Sequence, residues 1–293
     1  MPAEAIALAG PTGPAPFEAF FLDGSAGRLF CVFRPGRPRS LPEGAPATVV
    51  LVLPAFAEEM NKTRRMLSLF AQQAQTAGIG TLIPDLYGTG DSEGDFGEAA
   101  LEQWADDLRR AAQWLEARST ASVSVLAVRC GALLANLLPA GRPGGSLVLW
   151  QPITSGRVYA NQFLRLRFAG ELLAGGGQAD SAALRQEMER EGRLEVAGYE
   201  VSADLLRGLE SLELKQLDPD RYSTIRAFEV GTLQPPAVSP ALERVLEGWR
   251  RDGRDVAGAM VSGDPFWGTT EIATVPELVS ATVDAFLPGA AAR

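Results

Sequence analysis

Histidine is absent from all 293 residues, so no mechanism with a histidine base can be built from this chain's own side chains. Cysteine is nearly absent as well. Cys31 and Cys130 are too few for a disulfide framework or a four-cysteine zinc site, and they fit a reducing cytoplasm. Long apolar runs are also missing: residues 1–16 lack a basic segment followed by an apolar core, and the run over 47–57 is broken by Pro54. Neither a signal peptide nor a transmembrane segment is expected. Positive charge is in deficit, at a formal −9, which repels phosphate backbones and anionic membrane surfaces and argues against a nucleic-acid partner. Nearly all basic residues are arginine, which is a compositional habit and marks no site.

What is present is apolar and ordered. Hydrophobic residues make up 46% of the chain, ample for a buried core. Residues 17–33 read as two strands around a turn at Asp23-Gly24, an antiparallel hairpin at a sheet edge, with a Pro/Gly-rich connection running on to residue 47. The β-branched and leucine run at 48–53 reads as a central strand covered on both faces. A helix is predicted over 62–77, then a strand at 81–85, a helix at 98–117, a strand at 123–128, a helix at 131–138 and a strand at 146–150. Strict alternation of this kind predicts a doubly wound, mostly parallel sheet. It stops over 153–222, where helices around a Gly175-Gly176-Gly177 break and a short strand at 194–201 read as an inserted helical cap. The core pattern then resumes over 223–293, so residues 1–152 and 223–293 form the core.

Four segments could carry chemistry. Val128-Arg129-Cys130-Gly131-Ala132 lies where an apolar strand hands over to a helix, and reads as a tight nucleophile turn with Cys130 as candidate nucleophile; the alternative is a small buried cysteine. In that arrangement the backbone N–H groups of Phe56 and Gly131 would form an oxyanion hole. Glu58 and Glu59 follow the central strand and belong near a pocket at the carboxyl ends of the strands, or simply at a helix N-terminus; their spacing to Arg64 does not establish a pair. The run from Asp85 to Ser92 holds a G-x-G, but it opens into no helix, so it reads as a glycine-rich turn beside the pocket and implies no dinucleotide cofactor. Residues 162–168 in the inserted segment read as a cap helix on the pocket or as a helix touching an acyl chain or lipid.

Together these motifs resemble the α/β-hydrolase superfamily, through Pro54-Ala55-Phe56-Ala57-Glu58, the Asp85–Ser92 turn and the Cys130 elbow. More narrowly, residues 54–66 with Leu149-Trp150-Gln151-Pro152 and Gly263-Asp264-Pro265-Phe266-Trp267 resemble the second of two hydrolase-like proteins associated with the bacterial exosortase A system. The resemblance implies the α/β-hydrolase fold with an N-terminal β-hairpin and a cytoplasmic protein. It also implies a role beside exopolysaccharide production and protein sorting, with an exosortase-pathway protein among its partners. It puts Pro265 where such hydrolases carry the catalytic histidine, and no carboxylate in the turn from Gly231 to Pro235 that usually supplies the acid; Glu229 is the nearest.

Two classes of function follow. One is a hydrolase or acyltransferase acting on an ester or thioester, with Cys130 as nucleophile and Glu58, Asp91 or Asp264 as base; Arg129 would favour the thiolate. The other is a non-catalytic pseudo-hydrolase whose pocket holds an acyl or glycan-pathway ligand, or a partner protein. No metal or cofactor is required by either.

Overall fold

A computed structural model describes residues 17–36, 48–139, 144–173, 181–232, 235–251 and 253–287. The N-terminal stretch, the Pro/Gly-rich connection over 37–47, the Gly175–Gly177 break and residues 233–234 of the acid turn lie outside the described residues. The chain opens with a hairpin of β1 (Glu18–Asp23) and β2 (Arg28–Arg34), whose register pairs Phe20 with Cys31 and Leu22 with Leu29. Strand and helix then alternate through β3 (Val49–Leu53), α1 (Glu58–Thr76), β4 (Gly80–Pro84), α2 (Leu101–Glu116), β5 (Val123–Val128), α3 (Gly131–Leu134) and β6 (Gly145–Trp150). An excursion follows: α4 (Gly156–Leu173), α5 (Ser181–Glu191), β7 (Arg193–Val196), β8 (Tyr199–Ser202) and α6 (Ala203–Glu210). The core resumes with β9 (Tyr222–Gly231), α7 (Pro240–Arg250), β10 (Asp255–Ser262) and α8 (Pro276–Phe286).

The eight-stranded sheet has the order β1-β2-β4-β3-β5-β6-β9-β10. β2 is antiparallel to both its neighbours and the remaining pairs are parallel. All five residues of β3 are buried, as a strand covered on both faces requires. Its side chains alternate between two cores. Val50 and Val52 pack with Phe70, Trp150 and Phe286 under α1 and α8, while Leu51 and Leu53 pack with Trp104, Leu108 and Leu149 on the opposite face. Each such buried side chain contributes roughly 1.5–3 kcal/mol relative to exposure, which is what fixes the register.

Three elements differ from expectation, each for a local reason. α1 begins at Glu58, four residues early, because Ala57 turns the chain at φ 52° and the two carboxylates fall in the first turn, where the helix dipole favours them. The helix expected over 131–138 is only four α-helical residues and a 3-10 turn, since Pro139 drives Leu138 into extended backbone. The strand expected over 194–201 is instead the β7–β8 hairpin, turned by Ala197 and Gly198 at φ 51° and 83°. That hairpin is anchored by Ser202, whose hydroxyl donates to the Ala99 carbonyl and caps α6 by accepting from the Leu205 N–H.

Candidate functional site

Among the described residues, three of the four non-glycine residues at positive φ stand at neighbouring strand ends: Ala57 after β3, Arg129 after β5 and Gln151 after β6. Such backbone is costly for an alanine, arginine or glutamine and persists only where its surroundings impose it. Arg129 is the sharpest case. Its N–H bonds to the Trp150 carbonyl at 2.9 Å, and its own carbonyl accepts from Ala132 and Ile153 at 3.1 and 3.2 Å. The chain therefore turns from strand to helix at Arg129, between the small residues Ala127 and Gly131. A β-carbon on Gly131 would overlap the carbonyl oxygens of Leu53 and Pro54, so only glycine lets α3 start so close to β3.

This corrects the expected register by one residue. Arg129, not Cys130, occupies the strained corner. Cys130 already has right-handed helical angles (φ −59°, ψ −28°), is 1% exposed and belongs to the apolar core. Burial, reinforced by Glu59, pushes its thiol pKa far up, so the thiol is held neutral. Desolvation outweighs the lowering that Arg129 supplies, so Arg129 does not produce the thiolate expected from its position.

Arg129 is the centre of a paired cluster. Its Nη2 and Nε donate to Glu59 Oε1 at 2.7 and 3.2 Å, and its Nη1 reaches the Gln151 carbonyl at 3.4 Å. The Tyr159 hydroxyl, from α4, donates to Glu59 Oε2 at 2.9 Å. Burial and then the Glu59 charge hold the Tyr159 hydroxyl well above the usual phenol pKa. The guanidinium also lies 5.0 Å from the Trp267 ring centroid. In front of this cluster is a cavity of about 150 Å³ with a largely apolar wall, formed by Phe56, Phe163, Leu166 and Ala197.

Of the residues expected at the site, Phe56, Glu58, Glu59 and Arg129 line this cavity. Glu58 serves its rim: its Oε2 accepts from the Tyr199 hydroxyl at 2.8 Å, which ties the β7–β8 hairpin to α1, and Asn61 Nδ2 donates to the same hydroxyl at 2.7 Å. Asp91, Asp264 and Pro265 are exposed and stand apart from the cavity lining. Asp91 only donates its backbone N–H to Asp85, which also receives Arg64 at 3.0 Å; Arg64 thus pairs with Asp85 and Glu59 with Arg129. The turn after β10 sends Trp267, not Pro265, toward the corner. Glu229 is buried, and its carboxylate receives the Ser239 N–H and hydroxyl at the start of α7. The backbone N–H groups of Phe56 and Gly131 meet no acceptor among the described residues, and the same holds for Cys130, the residue after the corner. Tyr159 and Tyr199 have no local sequence signal and are joined to the site only by the fold; Trp267 closes the Gly263–Trp267 turn singled out in the sequence, in place of the expected Pro265.

No protein-family model and no curated protein matches this sequence. Solved structures do. The ferulic-acid-bound Est1E from Butyrivibrio proteoclasticus superposes with a TM-score of 0.62 at 15% identity, over 90% of this chain and 96% of that one. An α/β serine hydrolase without a lid from Xanthomonas campestris gives 0.53 at 15%, over 96% and 99%. Mouse α/β hydrolase domain-containing protein 10 gives 0.54 at 14%, over 91% and 97%. The chain has the α/β-hydrolase fold. In an α/β-hydrolase the strained corner after the fifth described strand is where a nucleophile stands, flanked by small residues. Here an arginine stands there, neutralised by a glutamate and packed on a tryptophan. Among the described residues no helix is long and apolar enough to cross a membrane.

Proposed function

We propose that this α/β-hydrolase-fold protein binds a ligand without turning it over, holding an acyl or glycan-pathway molecule in the cavity before Arg129. The observation that carries this reading is Arg129 itself: the corner has neither hydroxyl nor thiol, and the guanidinium is already satisfied by Glu59. In serine hydrolases, losing nucleophile and base costs on the order of a millionfold in turnover. An apolar wall ending in hydrogen-bonding groups suits an acyl chain with a carbonyl or hydroxyl at its head. Residues 153–222 act in this reading as the cap over the pocket. The resemblance to exosortase-associated hydrolases supports a cytoplasmic role beside exopolysaccharide production, with a partner protein from that pathway.

A second reading, slow acyl transfer from an ester or thioester through Cys130, draws on the uncommitted N–H groups of Phe56 and Gly131, which could receive a carbonyl oxygen. It requires the buried thiol to reach the cavity. Intact-protein mass after incubation with acyl thioesters and activated esters, together with thermal shifts on a panel of fatty acyl and glycolipid ligands, separates the two. Ligand-dependent stabilisation without adduct or turnover, lost in Phe163→Trp, is expected. A Cys130-dependent adduct that turns over would replace the binding reading with the catalytic one.

A further inference from the structure

The sheet has two edges, and they are defended differently. β1 carries Glu18 and Asp23, and the guanidinium groups of Arg28 and Arg34 sit 5.0 and 4.9 Å over Phe21 and Phe17. Charges of this kind blunt an edge against pairing. β10 is charged only at its first residue, Asp255, which is paired with Arg226; from Val256 to Gly263 the sequence VAGAMVSG holds no charge and no proline.

The direction of its free backbone groups can be read from the ladder. β10 is parallel to β9, with Ala257 opposite Arg226, and the Gly263 N–H reaches the Gly231 carbonyl at 3.4 Å. Odd-numbered residues therefore address β9, and the N–H and C=O groups of Val256, Gly258, Met260 and Ser262 point outward. Val256 is internally satisfied, since its N–H bonds to the Arg254 carbonyl and its own carbonyl receives Arg250 Nε, both at 3.0 Å. Gly258, Met260 and Ser262 have no backbone partner on the outward side among the described residues. Three outward residues at a spacing of two are self-complementary in one antiparallel register. A two-fold axis at Met260 sets it opposite its own copy and Gly258 opposite Ser262 of the second chain, each pair exchanging two hydrogen bonds.

We propose that β10 is a homodimer interface, in which two copies join their sheets edge to edge through this register. Charge agrees with the second copy as occupant. The same register carries the exposed Asp264, which has no ion pair among the described residues, to the end of the other strand, where Arg250 donates to the Val256 carbonyl and pairs with Glu243. The chains each carry −9 overall, so association strengthens as salt screens their mutual repulsion.

The test is sedimentation velocity of the full chain at tens of micromolar, with Met260→Pro as the disrupting variant. Proline is tolerated there in the monomer because the Met260 N–H faces away from β9. A dimer that tightens with salt, and weakens at least about tenfold in Met260→Pro, is expected. Single-cysteine variants fix the register independently of how that variant folds. Under oxidation Met260→Cys should cross-link, since its symmetry mate lies directly opposite, while Ser262→Cys should not, its mate being roughly 14 Å along the strand. Cys31 and Cys130 are buried and do not compete. A monomer at all concentrations, a dimer indifferent to Met260→Pro, failure of Met260→Cys to cross-link, or equal cross-linking of both variants overturns the proposal.

Discussion

The Arg129 guanidinium rests 5.0 Å from the ring centroid of Trp267, joining the turns that follow β5 and β10. Those two turns carry nucleophile and base in active α/β-hydrolases, and here they hold a cation against an aromatic face. On its other edge the guanidinium is bound by Glu59, and both members of that pair are largely screened from water, at 13% and 21% side-chain exposure. Arg129→Ala leaves Glu59 with only the Tyr159 hydroxyl, an under-compensated carboxylate, and is expected to destabilise the fold by about 2–4 kcal/mol in urea titration at neutral pH. Glu59→Gln keeps an acceptor oxygen for Arg129 and turns an amide N–H toward the Tyr159 hydroxyl, which can accept it, so the hydrogen bonds survive while the charge pairing is lost, at a cost of about 1–2 kcal/mol. No measurable cost for Glu59→Gln would show that the charge pairing contributes nothing. Arg129→Ser is expected to show no esterase turnover, because it supplies a hydroxyl and no base.

Thiol chemistry gives a second prediction. Burial pushes Cys31 up to about 12 and Cys130 higher still, so neither is thiolate at pH 8. Alkylation of both should proceed only as fast as the protein opens, and should accelerate in parallel with urea-induced unfolding. Rapid labelling of Cys130 alone in the native protein would place its sulfur in the cavity and revive the covalent reading.

Much of the core was legible because its signals are local. The buried run of β3 announces a central strand, and the strand over 123–128 begins and ends where the sequence pattern puts it. The corner was harder to register. The frame centred on Arg129 has the small flanks Ala127 and Gly131, while the frame centred on Cys130 has Val128 and Ala132; a cysteine suggests a nucleophile where an arginine does not, and the positive φ of Arg129 decides between them. Tyr159 and Tyr199 could not be found from spacing at all, and Trp267, although in a turn the sequence singled out, was passed over for Pro265. Each reaches the site from a distant element, and a tyrosine or tryptophan on a helix, turn or short strand looks the same in sequence whether it faces a cavity or the core.

Tyr199 allows a prediction about the rim. Its hydroxyl holds the Glu58 carboxyl below the usual carboxylate range, while burial and Glu58 push its own pKa up to about 12. For a carboxyl depressed in the folded state, the stabilisation is present above its ordinary pKa and is lost as pH falls through the lower folded value. Acidification should therefore loosen the β7–β8 hairpin before the core. Hydrogen exchange of the β7–β8 amides should rise on acidification relative to β3 amides, and Tyr199→Phe should already show the faster exchange at pH 7. If the hairpin exchanges identically in Tyr199→Phe, the contact to α1 is incidental.

Asp107 supplies the opposite sign. One of its carboxylate oxygens accepts the Tyr87 N–H at 2.8 Å, while the other is buried with no hydrogen-bond partner among the described residues. Desolvation dominates, and its pKa rises from 3.8 to about 6. An acid raised in the folded state contributes most when protonated, so its stabilisation is intact below its ordinary pKa, declines as pH rises from about 4 to 6, and is gone above. The span corresponds to roughly 3 kcal/mol. Asp107→Asn fixes a neutral group that still accepts from Tyr87. Its stability relative to wild type, from urea titrations across that window, should therefore climb with pH and level off near pH 7. A difference that stays constant between pH 4 and 7 would mean that water reaches the second oxygen and the carboxylate ionises in place.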